Sequence, residues 1–542
     1  MIKPDFSPLA LEILRDRYLW KDDKGVPIET PEQLLRRVAN VVAGTENTPE
    51  LRHAYSEKYY DMMARLDFLP NSPTLMNAGR PAPHGQLAAC FVVGIDDSME
   101  GICEALRKQM LIHKTGGGTG FNFSKLRPKN STVNSTNGKA SGPVSFMRLF
   151  DLSTDVVQQG GMRRGANMAI LDADHDDIEE FISCKDEDGV IKNFNLSVGV
   201  TNRFMDKALS MPYSHEAEIL EKIAEHAWKS GDPGIVFLDA LNKDNPCPDL
   251  GPIEATNPCG ESPLLANEAC NLGSINLAHF VDKSGNIEWN RLRDTVRLAV
   301  RFLDSVIDAS QYPLPEIEQS VKRTRKIGLG VMGWADMLYK VNLRYGTTAS
   351  VDIAGSVMEF ISRAAVSASE YLGYIKGVPE AVKHLGQRNA TVTCIAPTGT
   401  LALLANCSSG IEPVFSNHHT RIITTVDGGK HEVDMFNPVY EELIRDNTLS
   451  DERLQYICVT AYDVSPLEHV EMQSAFQKHT DLAVSKTVNM PHSATDYDVF
   501  KVFVAAYKRG CKGITIYRDG SKGAQVLTVH ENALPEPKCS TC

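Results

Sequence analysis
The sequence predicts an α/β protein whose main sheet is largely parallel, preceded by a small helical region. Three observations point there. The first 68 positions read as helical, and FLPNSPTLMNAG then breaks that pattern with prolines, asparagines and a glycine. Beyond the break, short apolar segments alternate with helical ones, as strand–helix–strand units do. Near residue 521 the periodicity stops, leaving a proline-containing tail that ends in Cys-x-x-Cys. The expected organisation is therefore a helical region over 1–68, a main domain over 69–520 and a flexible tail over 521–542.

In order along the chain, TPEQLLRRVANVVAG is a helix with Thr30 as N-cap, Pro31 at the first helical position, Glu32 in the first turn and a glycine at its end. LAACFVVGI, residues 87–95, reads as a buried strand. DDSMEGICEALRKQMLIHK reads as a capped helix, TGGGTG as a glycine turn and FNFSKL as a short strand. Residues 129–143 form a polar loop. The alternation continues to VTCIAPTGTLALLANC and CKGITIYRD. No internal repeat interrupts it.

Composition removes several function classes. The chain has 542 residues, 42% hydrophobic and 23% charged, ordinary globular values that allow a sizeable core. The formal net charge of −13 argues against a nucleic-acid-binding face, which must be basic. There is no signal-peptide core and no long apolar run to span a membrane, so a cytoplasmic location is expected. Twelve cysteines in a reducing compartment are expected to be mostly free thiols, with any disulfide catalytic or redox-sensing. Asn130 and Asn134 each begin Asn-Ser-Thr, read as polar loop residues.

Four stretches carry chemistry. TGGGTGF lets backbone approach a ligand closely, but its bunched glycines do not fit the dinucleotide fingerprint, and a tight turn explains them as well. In APTGTLALLANC a strand ends in Pro-Thr-Gly-Thr before a helix, which makes either an anion site or an ordinary cap. The P-loop lysine is absent. QQGGMRRGANM sets paired glycines beside Arg163 and Arg164, suiting a loop that touches phosphate or base, or a solvated turn. The fourth, NPCGESPLLANEACNLGSINL, holds Asn257, Cys259, Glu261 and Cys270. A thiol beside an amide and a carboxylate can be a nucleophile, a metal ligand or a radical carrier. The paired Cys/His spacings of a zinc site are missing, so no metal is expected. Redox work fits better, because a tail Cys-x-x-Cys resembles a thiol shuttle.

NPCGE followed by EACNLGSINL resembles the active-site segment of ribonucleotide reductases. FLPNSPTLMNAG, CFVVGIDDSMEGI, TGGGTGFNFSKLRP, QGGMRRGANM, RKIGLGVMGWADML, APTGT with GIEPVF, and KGITIYRDGS extend the resemblance over about residues 8 to 522 and place it in the adenosylcobalamin-dependent class II branch. That resemblance implies a ten-stranded α/β barrel with a central finger loop. It implies that Cys259 becomes a transient thiyl radical at the finger tip and takes the 3′-hydrogen of a ribose. Glu261 would accept the 3′-hydroxyl proton as general base, and Asn257 would orient substrate and carboxylate. Cys90 and Cys270 would supply the reducing equivalents and end as a disulfide, so that Cys259 and Cys270 do not bond to each other. Cys539 and Cys542 would reduce that disulfide and be recycled by a thioredoxin-like partner.

The same resemblance gives the glycine stretches roles. Pro397, Thr398, Gly399 and Thr400 match the substrate phosphate site, and Ser72, Ala89, Gly118 and Gly120 the nucleoside pocket. Asp97 and Arg127 match positions that bind a deoxynucleotide effector near the interface of a homodimer. Gly160, Gly161, Arg163 and Arg164 match the loop that carries effector information to the substrate base. The substrate implied is a ribonucleotide, by analogy a diphosphate. A regulatory ATP-binding domain ahead of the catalytic part is not expected, since family-like sequence starts almost at Met1. The Asp-x-His-x-x-Gly cobalamin motif is absent, so the resemblance identifies no cofactor contacts. The alternative is a class I large subunit fed by a separate radical-generating subunit. That branch uses paired tyrosines where this chain has Tyr517 alone in GITIYRDG. A glycyl-radical enzyme would need Arg-x-x-Gly-Tyr near the C-terminus, which is missing. A degenerate nucleotide-binding regulator is disfavoured because Cys90, Asn257, Cys259, Glu261 and Cys270 are all retained.

Overall fold
The computed structural model describes residues 2–81, 85–133, 137–157, 165–186, 189–424, 430–447, 449–521 and 527–529. Of the residues singled out above, Asn134, Gly160, Gly161, Arg163, Arg164, Cys539 and Cys542 lie outside the described residues.

The N-terminal region is helical for the reasons its sequence announces. Thr30 caps helix Pro31–Ala43 by accepting from the Gln33 N–H, and Gln33 returns the bond to the Thr30 N–H at 2.7 Å. Helix Pro49–Ala64 follows, again with threonine at the cap and proline behind it. The FLP of the breaking stretch is a short strand, Phe68–Pro70. It pairs antiparallel with Gly273, Ser274 and Ile275 and so fastens the helical region to the sheet.

The sheet closes on itself. Its strands are β1 (Cys90–Val92), β2 (Gly118–Asn122), β3 (Asn167–Asp172), β4 (Phe194–Val200), β5 (Gly234–Phe237), β6 (Glu268–Asn276), β7 (Ile327–Met332), β8 (391–395), β9 (Thr487–Met490) and β10 (Gly513–Arg518). β1 to β5 run parallel in sequence order. β6 to β10 do the same, with β8 tied in by parallel bridges Leu329–Thr393 and Ile395–Val484. The two halves meet antiparallel at β5/β10 and at β1/β6. This is a ten-stranded barrel, and the parallel reading holds within each half.

Alternation along the strands separates lumen from shell. On β3, Met168 and Ile170 belong to an inner apolar cluster, while Ala169 and Leu171 join the outer one. On β1, Cys90 and Val92 face in and Phe91 and Val93 face out. The outer face is covered by long helices: Trp289–Ala309 lies on β6 and β7, and Thr348–Lys376 packs over that helix. Buried strands of parallel sheets need cover on both faces, which is why they read as continuous apolar runs.

Three sequence expectations change. The strand expected over 87–95 is regular only over Cys90–Val92. The glycine turn is shorter than expected, because Gly118 to Gly120 already belong to β2; glycine there makes room for the loop described below. The chain beyond Ser521 contributes strand Leu527–Val529, which pairs with His418–Thr424 beside Lys430–Phe436. Its Leu-Thr-Val is a β-favouring triplet that finds an open edge. Among the described residues no helix is long and apolar enough to cross a membrane.

Candidate active site
Between β5 and β6 the chain enters the barrel as a hairpin. Ala255–Thr256 pairs antiparallel with Pro263–Leu264, and the turn between them holds Asn257 to Ser262. That turn is tied from within. Ser262 N–H donates to the Asn257 side-chain oxygen at 2.9 Å, and Gly260 N–H donates to the Asn257 carbonyl at 3.0 Å. Gly260 takes φ +82°, a left-handed conformation that favours glycine.

Opposite walls of the barrel grip this finger. A methyl group at Gly120 would overlap the Thr256 carbonyl oxygen, and one at Gly118 would stand 2.8 Å from the Pro258 ring. What the glycine stretch lets in close is therefore backbone of the protein's own finger. Asn195 on β4 donates to the Pro258 carbonyl at 2.7 Å. From the other half, Ala483 N–H donates to the Glu261 carbonyl at 2.9 Å, as does the Cys394 thiol at 3.3 Å.

The fingertip thiol, Cys259, is exposed and opens on a cavity of about 1430 Å³. Asn257 and Glu261 are buried beside it. The Asn257 amide donates to Cys90 Sγ at 3.1 Å, and the Cys90 thiol points at Glu261 Oε1 at 3.7 Å. Cys90 and Cys270 are direct cross-strand partners of β1 and β6, both buried and both free thiols. Directly opposed residues of an antiparallel pair have Cα atoms about 4.5–5.5 Å apart, inside disulfide range. Burial, reinforced by the Glu261 charge, pushes the Cys90 thiol well up; burial does the same to Cys270. Both are protonated at neutral pH and hold a hydrogen to give.

The other sequence candidates divide by position. Pro397, Gly399 and Thr400 line the same cavity as Cys259. Thr398 lies just behind, with φ +54° and its hydroxyl accepting from Gly410 N–H at 2.7 Å. Ser72, Ala89, Gly118 and Gly120 are not part of the cavity lining. Ser72 shares a 2.7 Å hydrogen bond with Tyr18, and Ala89 N–H donates to the Cys270 carbonyl. Asp97 and Arg127 meet as an exposed ion pair at 2.8 Å. Sequence reasoning missed Cys394, which burial pushes up in pKa and which stands beside Glu261. It also missed the buried Lys486, which pairs with the half-buried Glu412 and has His469 against it. No spacing signal could have found either, since both depend on segments distant in sequence.

Residues 88–517 match the family described as ribonucleotide reductase, barrel domain, in three overlapping segments (88–216, 213–380 and 374–517), and residues 4–83 match its all-alpha domain. The chain belongs to the ribonucleotide reductase family. Among curated relatives, it is 42% identical to the vitamin B12-dependent ribonucleoside-diphosphate reductase of Thermoplasma acidophilum, over 98% of this chain and 81% of that protein. A Mycobacterium tuberculosis protein of the same description is 43% identical, with the same coverage of each. The fold is also that of the Actinobacillus ureae class Id ribonucleotide reductase alpha subunit, with a TM-score of 0.80, 24% identity, and 96% of this chain and 98% of that one covered.

Proposed function
We propose that this chain is an adenosylcobalamin-dependent reductase that turns ribonucleoside diphosphates into 2′-deoxyribonucleotides through a thiyl radical on Cys259. The observation that carries the reading is one exposed thiol on a finger, with an amide, a carboxylate and two opposed protonated thiols gathered at its base. Family membership and the B12-dependent relatives support it.

The cavity suits a cofactor beside a nucleotide. Small-molecule sites typically measure about 300–1000 Å³, and this one is larger. Phe415, Phe436, Asn489 and Tyr517 on its lining would hold the cofactor through flat apolar surface and a side-chain amide. When bound, the cofactor would supply the radical chemistry that takes the hydrogen atom from the Cys259 thiol. Cys259 then takes the 3′-hydrogen of the ribose. Glu261 accepts the 3′-hydroxyl proton while Asn257 holds the carboxylate side of the site in register. The 2′-hydroxyl leaves as water, Cys90 and Cys270 give two hydrogens and join as a disulfide, and Cys259 returns the abstracted hydrogen to the 3′-position, which leaves it a thiyl radical again. Overall, two thiols and a ribonucleotide become a disulfide, a deoxyribonucleotide and water.

Further parts of the reading rest on the family. Pro397 to Thr400 take the substrate phosphates, and Ser72, Ala89, Gly118 and Gly120 flank the nucleoside end. Asp97, Arg127 and the stretch from Gly160 to Arg164 receive a deoxynucleotide effector. Met99, Leu149, Leu152 and Val156, exposed apolar residues on helices Met99–Lys114 and Pro143–Val156, suit a homodimer contact. Cys539 and Cys542 pass electrons from a thioredoxin-like protein. That none of the ten described cysteines is joined in a disulfide suits a reducing cytoplasm.

The decisive experiment is anaerobic reduction of cytidine diphosphate by the purified protein with dithiothreitol, with and without adenosylcobalamin. Product only in the presence of the cofactor is expected. Cofactor-independent turnover would move the chain to the class I reading, with its separate radical source.

A further inference from the structure
We infer that Arg17 is the cation that clamps the substrate phosphates, so that the N-terminal helical region completes the catalytic cavity. The inference deepens the proposed function, since it takes the bound nucleotide from that reading.

The charges on the cavity lining point to it. Among the described residues, five lining side chains carry a carboxyl, ammonium or guanidinium group: Arg17, Asp232, Glu412, Glu441 and Lys486. Lys486 has a fully buried side chain, and its ammonium is committed to Glu412, to His469 at 2.8 Å and to the Thr487 carbonyl at 2.9 Å. Glu412 is the partner in that pair, and Asp232 is paired with Lys185 at 2.9 Å. The uncommitted lining charges are Glu441, which a phosphate would avoid, and Arg17. A nucleoside diphosphate brings several negative charges into this space. Hydroxyls and backbone N–H groups at Gly399, Thr400 and Ser409 can accept or donate hydrogen bonds but do not neutralise that charge.

Arg17 is built to be presented rather than packed. It sits in a wide π turn, Leu14–Tyr18, a geometry frequent at functional sites. Both sides of the turn are anchored. Leu14, Tyr18 and Leu19 are buried, Leu19 N–H closes the turn on the Leu14 carbonyl at 2.9 Å, and the Tyr18 hydroxyl meets Ser72 Oγ at 2.7 Å. The preceding helix, Pro8–Ile13, packs on helix Gly399–Ala405, and Ser7, Pro8 and Leu9 line the cavity with it. The Arg17 side chain itself is exposed and makes no ion pair or hydrogen bond to any described residue. A guanidinium offers a planar fork to two phosphate oxygens at once, which a lysine cannot.

The test measures cytidine diphosphate binding to the full chain by equilibrium dialysis, beside kcat and KM in the cofactor-dependent assay. Arg17→Ala should weaken diphosphate binding about ten- to hundredfold, and KM should rise by more than kcat falls. Arg17→Lys should recover part of the loss, and added ethylguanidinium should partly restore the alanine variant. Thermal melting should match the wild type. Unchanged diphosphate affinity in Arg17→Ala would overturn the inference. So would a loss that comes with a lowered melting temperature and answers neither to lysine nor to ethylguanidinium, because that pattern marks a packing role. If the wild type binds the diphosphate but never reduces it, the proposed function fails while the dialysis still decides on Arg17.

Discussion
The fingertip and the strand pair beneath it present thiols in two opposite ways. Cys259 stands on a turn shaped by its own neighbours, with Asn257 and Gly260 closing it locally, and it faces an open cavity. Cys90 and Cys270 are 180 residues apart, sit within strands and are buried; only closure of β1 on β6 opposes them. A thiol that must meet a bound ribose needs exposure and a rigid perch. A pair that must meet each other needs register and shelter from solvent. Global closure supplies the second, and a short loop supplies the first.

The largest way to break this comparison is to remove the exposed thiol. Cys259→Ser should cut turnover by at least on the order of a thousandfold while leaving nucleotide binding and the melting temperature intact. Multiple turnovers from the serine variant would end the thiyl assignment. Next in size, Cys90→Ser or Cys270→Ser should abolish repeated turnover with dithiothreitol, since one remaining thiol cannot close a disulfide. Product counted per enzyme should stay at or below one, and equal catalysis in the single variants would show that the pair is not the reductant.

A smaller effect tests the perch itself. Gly120→Ala puts a methyl group into the Thr256 carbonyl, and neither backbone can yield cheaply. Overpacking of this kind costs about 1–3 kcal/mol, and a fingertip displaced by about 1 Å loses on the order of a hundredfold in rate. Gly355→Ala, on an open helical surface, is the matched control. If Gly120→Ala keeps wild-type kcat, the finger is held by something other than this contact.

Much of the exposed-thiol region could be read in advance and little of the buried one. Asn257, Cys259 and Glu261 act within a few residues of one another, so a motif captures them. Thr30 with Pro31 behind it, and the alternating strands, follow rules of local propensity and period and were legible too. Spacing alone left the partner of Cys270 open, and only the family resemblance pointed to Cys90. Barrel closure was equally hidden, because β8 joins β7 and β9 through a few bridges at 391–395. That Gly120 packs against the finger was hidden as well, since nothing in a glycine run tells whose backbone will approach. Cys394 gave no sign, because its link to Glu261 crosses from one barrel strand to the finger.

The finest distinction between the two regions is chemical reactivity in the resting protein. Alkylating reagents attack the thiolate, and below a thiol's pKa each unit of upward shift lowers the thiolate fraction about tenfold. Burial holds Cys90 and Cys270 well above the ordinary thiol range, and the Glu261 carboxylate adds to the effect at Cys90. Cys259 is exposed on the cavity. Iodoacetamide at pH 7.5, followed by mass spectrometry of the peptides, should therefore label Cys259 at least about tenfold faster than either strand cysteine. Raising the pH to 9 should leave the strand pair largely unmodified, since its protons are retained through that range. Denaturant should abolish the difference, because the shifts come from burial and vanish with it. Matching rates in the folded protein would mean that the strand pair breathes open to solvent, and shelter would then no longer separate it from the fingertip.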